Sequence, residues 1–180
     1  MMKPLLSLAF GMAVAGSCCA LACSFPPSDA RIGLDAPSEN AGQWHPVADY
    51  LGYKCGTLDC HGNAQRNFTV WGCYGLRFNA SDVSGCLAHS LHPGTTADEY
   101  DATYRSLVGL EPNVMSVVVS SGGQDPDLLT FIRKARGEEN HKGGTIFTQG
   151  DGGVGTAADT CVTSWLAGST NVSDCTLAIQ

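Results

Sequence analysis

Long apolar runs are missing from this chain of 180 residues, and so is any surplus of positive charge. The longest apolar stretch, Leu5 to Ala15, is too short to stay in a bilayer as a spanning helix. Lysine and arginine number 10 against 17 aspartates and glutamates, a formal charge of −7. That balance excludes a surface built to hold nucleic-acid phosphates. No Gly-x-Ser-x-Gly elbow and no Gly-rich loop ending in Lys-Ser/Thr is present, which argues against serine-hydrolase and P-loop chemistry. No internal repeat or low-complexity block appears. Charged residues make up only 15% of the chain while glycine reaches 22, a balance that suits a loop-rich domain rather than a plain helical bundle.

What is present falls into three parts. Residues 1–22 read as an export signal: Lys3, the apolar run, then small residues. Residues 23–43 are rich in Pro, Ser and Asp and read as a flexible tether, and 44–180 as one folded domain. Cysteines close the signal. Ala15-Gly16-Ser17-Cys18 and Ala20-Leu21-Ala22-Cys23 both resemble a bacterial lipobox, without the Leu usually found three positions earlier. Cys23 is the favoured lipidation site because Ser24-Phe25-Pro26-Pro27 looks like the start of a mature tether; Cys18 is the alternative. Acyl chains there would hold the domain to a membrane face without a spanning helix. The expected location is therefore periplasmic or outer-membrane-associated.

The decisive segment is Cys55-Gly-Thr-Leu-Asp-Cys60-His61. Two thiols followed directly by a histidine are what covalent attachment of a c-type haem requires, and C-x4-C-H is a less common spacing of C-x-x-C-H. Each thiol would add S–H across one vinyl group, and His61 would reach the iron. The competing interpretation is a small disulfide loop beside a surface histidine. Zinc fits poorly, since adjacent Cys60 and His61 do not easily face one ion and no second Cys/His pair completes four ligands.

Four further cysteines, Cys73, Cys86, Cys161 and Cys175, are expected to pair in an oxidising compartment. Local pairing, Cys73–Cys86 and Cys161–Cys175, is preferred among the three connectivities. The elements are expected to be short helices around a small strand pair. A helix from His45 leads into the haem segment. Asn67–Gly72 and Leu76–Phe78 read as strands. Thr96-Ala-Asp-Glu99 is a capping box opening a helix with Tyr100, Tyr104, Leu107 and Val108 on one face. Pro112 starts another helix. Asp125-Pro126 opens a short one with Leu128, Leu129 and Ile132 inward, ended by Gly137. Thr156 to Leu166 is expected as the last.

A haem iron needs a partner opposite His61, or an open site. Met115 is the sole methionine outside the signal, and core packing is its plainer role. His45 reads as surface or local packing, and His89 and His92 as exposed loop residues. His141, followed by Lys142-Gly143-Gly144, is favoured because those glycines allow a close approach to a flat ring; Met115 is the alternative. Arg66, Arg77 and Arg133 are candidates to neutralise haem propionates.

The segment Cys55 to Gly62, with Arg66-Asn67 and Gly75-Leu76-Arg77, then His141-Lys-Gly-Gly144, Gly150-Asp151 and Trp165-Leu166, resembles a group of exported, often lipid-anchored bacterial proteins with a monohaem c-type cytochrome domain. The likeness covers about Leu51 to Gly168. It implies a mainly α cytochrome c-like haem-binding domain with long loops and a minor β element, His141 as ligand, and one covalent haem c. The expected role is that of an electron carrier rather than an enzyme, acting with redox partner proteins, a membrane through its lipid anchor, and no nucleic acid. Two other classes stay open: a haemless disulfide-rich surface lipoprotein that binds a partner, and a sensor or peroxidase with open iron.

Overall fold

A computed structural model describes residues 33–79, 85, 86, 91 and 94–180. The signal, Cys18, Cys23, His89 and His92 lie outside the described residues. The body spans Leu34–Gln180. It is mainly helical: α1 (Ala41–Cys55), α2 (Ala97–Val108), α3 (Pro112–Ser120), a 3₁₀ turn (Pro126–Leu128), α4 (Thr130–Arg136), α5 (Val154–Leu166) and α6 (Val172–Ala178).

α1 is the central element. The Asn40 side chain accepts the Gly42 N–H at 2.9 Å and so caps its start. Trp44, Val47, Ala48 and Leu51 recur every three or four positions and are all buried, the spacing of one helical face. Around them α2, α5 and α6 pack against α1. Trp44 meets Trp165 of α5 at 4.9 Å between ring centroids and Tyr104 of α2 at 5.5 Å. The expected tether is already bound to this body at its end. Tyr104 Oη donates to the Pro37 carbonyl at 2.6 Å, Trp165 Nε1 to that of Ser38 at 2.8 Å, and Ala41–Gln43 belong to α1.

The capping box of α2 forms in both directions between Thr96 and Glu99. Glu99 is buried and also meets the Arg77 guanidinium, with Nε 2.8 Å from Oε1. In α3, burial of Met115 and Val118 outweighs the weak strand preference of its valines, which is a few tenths of a kcal/mol each. Leu129 and Ile132 point inward as expected; Leu128 does not, being 48% exposed on the turn before α4. Glu111 covers the start of α4, where Thr130 N–H and Oγ1 donate to its carboxylate at 2.7 and 2.8 Å. Gly137, at φ 77°, ends that helix in the left-handed conformation.

Two expectations need correction. The strands over Asn67–Gly72 and Leu76–Phe78 do not form: only an isolated bridge joins Trp71 and Leu76. Instead the segment is laid on α2. Thr69 N–H donates to Ser106 Oγ at 2.7 Å and Trp71 N–H to Thr103 Oγ1 at 2.8 Å, so hydroxyls replace a partner strand. Nor does the chain's last helix end at Leu166. α6 follows, capped by the Asn171 side chain. Seven residues are too few to hold a helix alone; Cys175 is bonded to Cys161 of α5, and Ala178 and Ile179 are buried. The second disulfide joins Cys73 and Cys86, so both local pairs form.

Replacing Cys161 and Cys175 together by alanine should lower stability by about 3 kcal/mol, the loop-closure effect for a separation of 14 residues. Urea unfolding measures this, and an unchanged midpoint would mean that packing alone docks α6.

Candidate functional site

The Cys55–His61 segment starts where α1 stops. His61 N–H donates to the Cys55 carbonyl, while Cys60 and Gly62 N–H both reach Thr57 O, all at 2.9 Å. These bonds curl the stretch into a tight loop that brings its first and last residues together. Two glycines make the curl possible. A Cβ on Gly62 would collide with the Gly56 carbonyl oxygen, and one on Gly56 with that of Gly52. From outside, Arg66 Nε donates to Cys60 O at 3.1 Å.

The His61 ring is fixed by the segment that follows. Its Nδ1 lies 2.9 Å from the Phe68 carbonyl, which can only accept, so the proton sits on Nδ1 and Nε2 keeps its lone pair. Burial lowers the ring's affinity for a proton, as do the neighbouring His141 and Arg66, against the opposing pull of the Phe68 carbonyl. The neutral imidazole is the form that binds a metal.

His141 comes from the other side of the sequence. Its loop is closed at the base on α4: Glu138 N–H donates to Arg133 O at 2.9 Å, and Ile146 and Phe147 N–H to Ala135 O at 2.7 and 2.9 Å. α4 is in turn locked to α5, with Arg136 Nε and Nη2 each 3.0 Å from a carboxylate oxygen of Asp159. Within the loop, His141 Nδ1 donates to the Gly144 carbonyl at 3.1 Å, and Gly144 N–H returns to His141 O at 2.9 Å.

The two rings face a common cavity of 610 Å³, within the ~300–1,000 Å³ usual for cofactor sites. Leu51, Phe68, Phe131 and Phe147 give it apolar walls, and Cys55 lines it. A second cavity, 450 Å³, adds Cys60 and shares His61, Arg66, Lys134 and His141. The ring centroids are 6.3 Å apart with planes 26° from parallel. Charge is sorted around them. Among the described residues, Arg77, Arg105, Arg133 and Arg136 are paired with carboxylates; Arg66, Lys134 and Lys142 are not and line these cavities, while Lys54, in no ion pair either, lies over the Tyr53 ring.

These residues fit a haem. Two imidazoles on one iron have centroids about 6 Å apart, from two bonds of roughly 2 Å plus the distance from nitrogen to ring centre. Each histidine also has its second nitrogen on a backbone carbonyl, the usual support for a metal-bound imidazole. Among the described residues no three His, Cys, Asp or Glu gather as a metal set. A haem needs none, since its macrocycle brings four nitrogens. Tyr50 lines neither cavity, though its buried hydroxyl has no hydrogen-bond partner among the described residues. Burial raises its pKa, and the nearby Cys55 and Asp159 charges add to the effect. Both haem-segment cysteines are unpaired. Burial pushes the Cys55 thiol up to about 12, reinforced by Cys60, so it is not a thiolate poised for zinc or redox chemistry.

Other candidates lie elsewhere. Met115 is 1% exposed in the core and lines neither cavity. His45 stacks on Tyr100 at 3.7 Å, local packing. Of the three arginines proposed for propionates, only Arg66 lines the cavities. Arg77 is held by Glu99 and touches both sulfurs of the Cys73–Cys86 bond at 3.0 and 3.1 Å, and Arg133 by Glu139 and the carbonyls of Asp127 and Leu128. Lys134 was missed; its position two after Ile132 on α4, away from the buried face, was the available signal. Comparison with protein-family models, with characterised proteins and with solved structures gave no match, so the likeness to cytochrome-domain proteins rests on the quoted residues.

Gly62→Ala should cost about 1–3 kcal/mol through the forced contact with Gly56 and should displace His61. A thermal melt that matches the parent would refute the tight-loop account.

Proposed function

We propose that this protein transfers electrons through one covalently bound c-type haem, in an exported, lipid-anchored protein. The observation that carries this reading is the His61–His141 pair: two rings 6.3 Å apart across one cavity, each fixed through Nδ1. The haem supplies a one-electron iron couple. Cys55 and Cys60 would tether it and His61 and His141 would hold its iron, and Met115, which lines neither cavity, drops behind as a ligand. Phe68, Phe131 and Phe147 exclude water from its faces. Arg66 and Lys134 are placed to meet its carboxylates, a role taken from Arg77 and Arg133. If both histidines bound the iron, the chain would leave no open site on it for substrate, which favours a carrier over an enzyme. Two nitrogen ligands hold the potential below that of a His/Met pair.

The unpaired state of Cys55 and Cys60 supports the same reading. In an oxidising compartment free thiols pair, yet these two stay apart while four others are bonded. The acidic surface would steer basic patches of redox partner proteins towards the molecule. No described helix is long and apolar enough to cross a membrane, so attachment falls to a lipidated Cys23, or Cys18.

Protein made with its own export signal, in cells with working cytochrome maturation, should give about one haem per chain by pyridine haemochrome, and Cys55→Ala or Cys60→Ala should abolish stable attachment. A colourless parent would overturn the proposal. His141→Ala should turn a low-spin ferric spectrum high-spin; a spectrum that stays low-spin would exclude His141 as the ligand.

A further inference from the structure

The His141 ring is set by a contact that only glycine leaves room for. A Cβ built on Gly143 would lie 2.9 Å from His141 Cε1 and 3.4 Å from both ring nitrogens. Real Cβ atoms essentially never come within 3.0 Å of another heavy atom, so a methyl group there shifts the ring, which as the end of a flexible side chain yields more readily than backbone. The backbone at Gly143 is not in the left-handed region, and the residue is exposed. Alanine would therefore cost the fold little, and its effect would fall on the imidazole. The ring has one anchor of its own, the Gly144 carbonyl at 3.1 Å. A ring pushed away from Gly143 loses that bond or swings Nε2 off its line. The rest of the loop is braced: its base is closed on α4, and Lys134 Nζ donates to Asn140 O at 3.3 Å. The side chain, not the loop, has to give.

We propose that Gly143 is a positioning residue that keeps His141 on the iron, and so decides whether the site is a closed electron carrier or an open one that binds small neutral ligands such as carbon monoxide. This rests on the haem reading above. Gly150 is the control. It sits further along the same connection at φ 80° with nothing within 4 Å of a built Cβ, so alanine there strains the backbone without touching the ring.

The test uses full-length protein made with its export signal. Gly143→Ala should keep the parent's haem count and far-UV circular dichroism. The His141-bound form should fall by roughly tenfold or more against the open form, the effect of an overpacked contact. The ferric spectrum then turns high-spin, the ferrous form binds carbon monoxide readily, and added imidazole restores the low-spin bands. Gly150→Ala should behave as the parent. A Gly143→Ala protein that is low-spin and refractory to carbon monoxide overturns the inference and leaves the haem reading intact. So does equal opening by Gly150→Ala, or failure of Gly143→Ala to fold. A parent without haem overturns both. In the haem-free Cys55→Ser/Cys60→Ser protein, adding Gly143→Ala should shift the His141 Nδ1 nuclear resonance; no shift counts against the contact.

Discussion

Two carbonyl oxygens, of Phe68 and Gly144, hold the site together. Each takes the Nδ1 proton of one histidine, and each thereby fixes a tautomer as well as a direction. An imidazole on a loop is otherwise free to turn about two side-chain bonds, and a pair of free rings would not stay 6.3 Å apart across a cavity. The demand then passes to the backbone, because a carbonyl can only orient a ring if its own segment is fixed. Phe68 belongs to the stretch whose neighbours, Thr69 and Trp71, are bonded to hydroxyls on α2. Gly144 belongs to a loop closed on α4. The helices matter to function as the platforms for these two segments.

The platforms are themselves joined through polar contacts in a body with a modest core. α4 is held to α5 by the two-point Arg136–Asp159 pair, which is largely shielded, with side-chain exposures of 10% and 12%. Such a pair is weak ground for net stability but expensive to break, since either partner alone would be left shielded and unpaired. It fixes a register instead: the face of α4 carrying Phe131, Lys134 and Ala135 is held against the cavity. Glu99 does comparable work on the other side, capping α2 while its carboxylate meets Arg77 and the Phe78 N–H. Both carboxylates are buried; Glu99 is spent on Arg77, which a reading of the sequence would leave free for a haem, and Asp159 on Arg136.

That explains which parts were legible. Patterns of short range were: the capping box at Thr96–Glu99, the Pro112 start, the glycine stop at Gly137, and the two local cysteine pairs all depend on neighbours within a dozen or so residues. The haem reading of Cys55–His61 rests on consecutive residues, and the structure adds that the segment is a tight loop. The strands were not. Asn67–Gly72 has the β-branched and aromatic residues of a strand, but whether its backbone groups meet another strand or the hydroxyls of Ser106 and Thr103 is a tertiary matter. α6 was missed because it has little helical pattern of its own and borrows stability from a disulfide to α5. Arg77 was misjudged for the same reason, since its partner Glu99 is brought to it by the fold; Arg133 differs, because Glu139 lies only six residues on and its pairing was within local reach. His141 was chosen for its two following glycines, and the structure brings it to one cavity with His61 while giving the two glycines different contacts. Gly144 supplies the carbonyl and Gly143 the clearance.

The choice between a carrier and an open-iron sensor turns on how the distal histidine is mounted. A sensor requires a ligand that leaves at modest cost, and the usual way to provide one is a segment with few fixed backbone bonds. Here the segment bearing His141 is short and bonded to α4 at both ends, with Glu139 and Asn140 each tied by a side chain of α4. Moving His141 away as part of its backbone would mean breaking several of these bonds together. Rotating its side chain alone breaks only one, to Gly144, and that is why the weight of the argument falls on so small a residue as Gly143. The fold makes the backbone route costly and leaves the side-chain route guarded by packing, an arrangement suited to the proposed role, in which both histidines would stay on a haem iron while it changed charge.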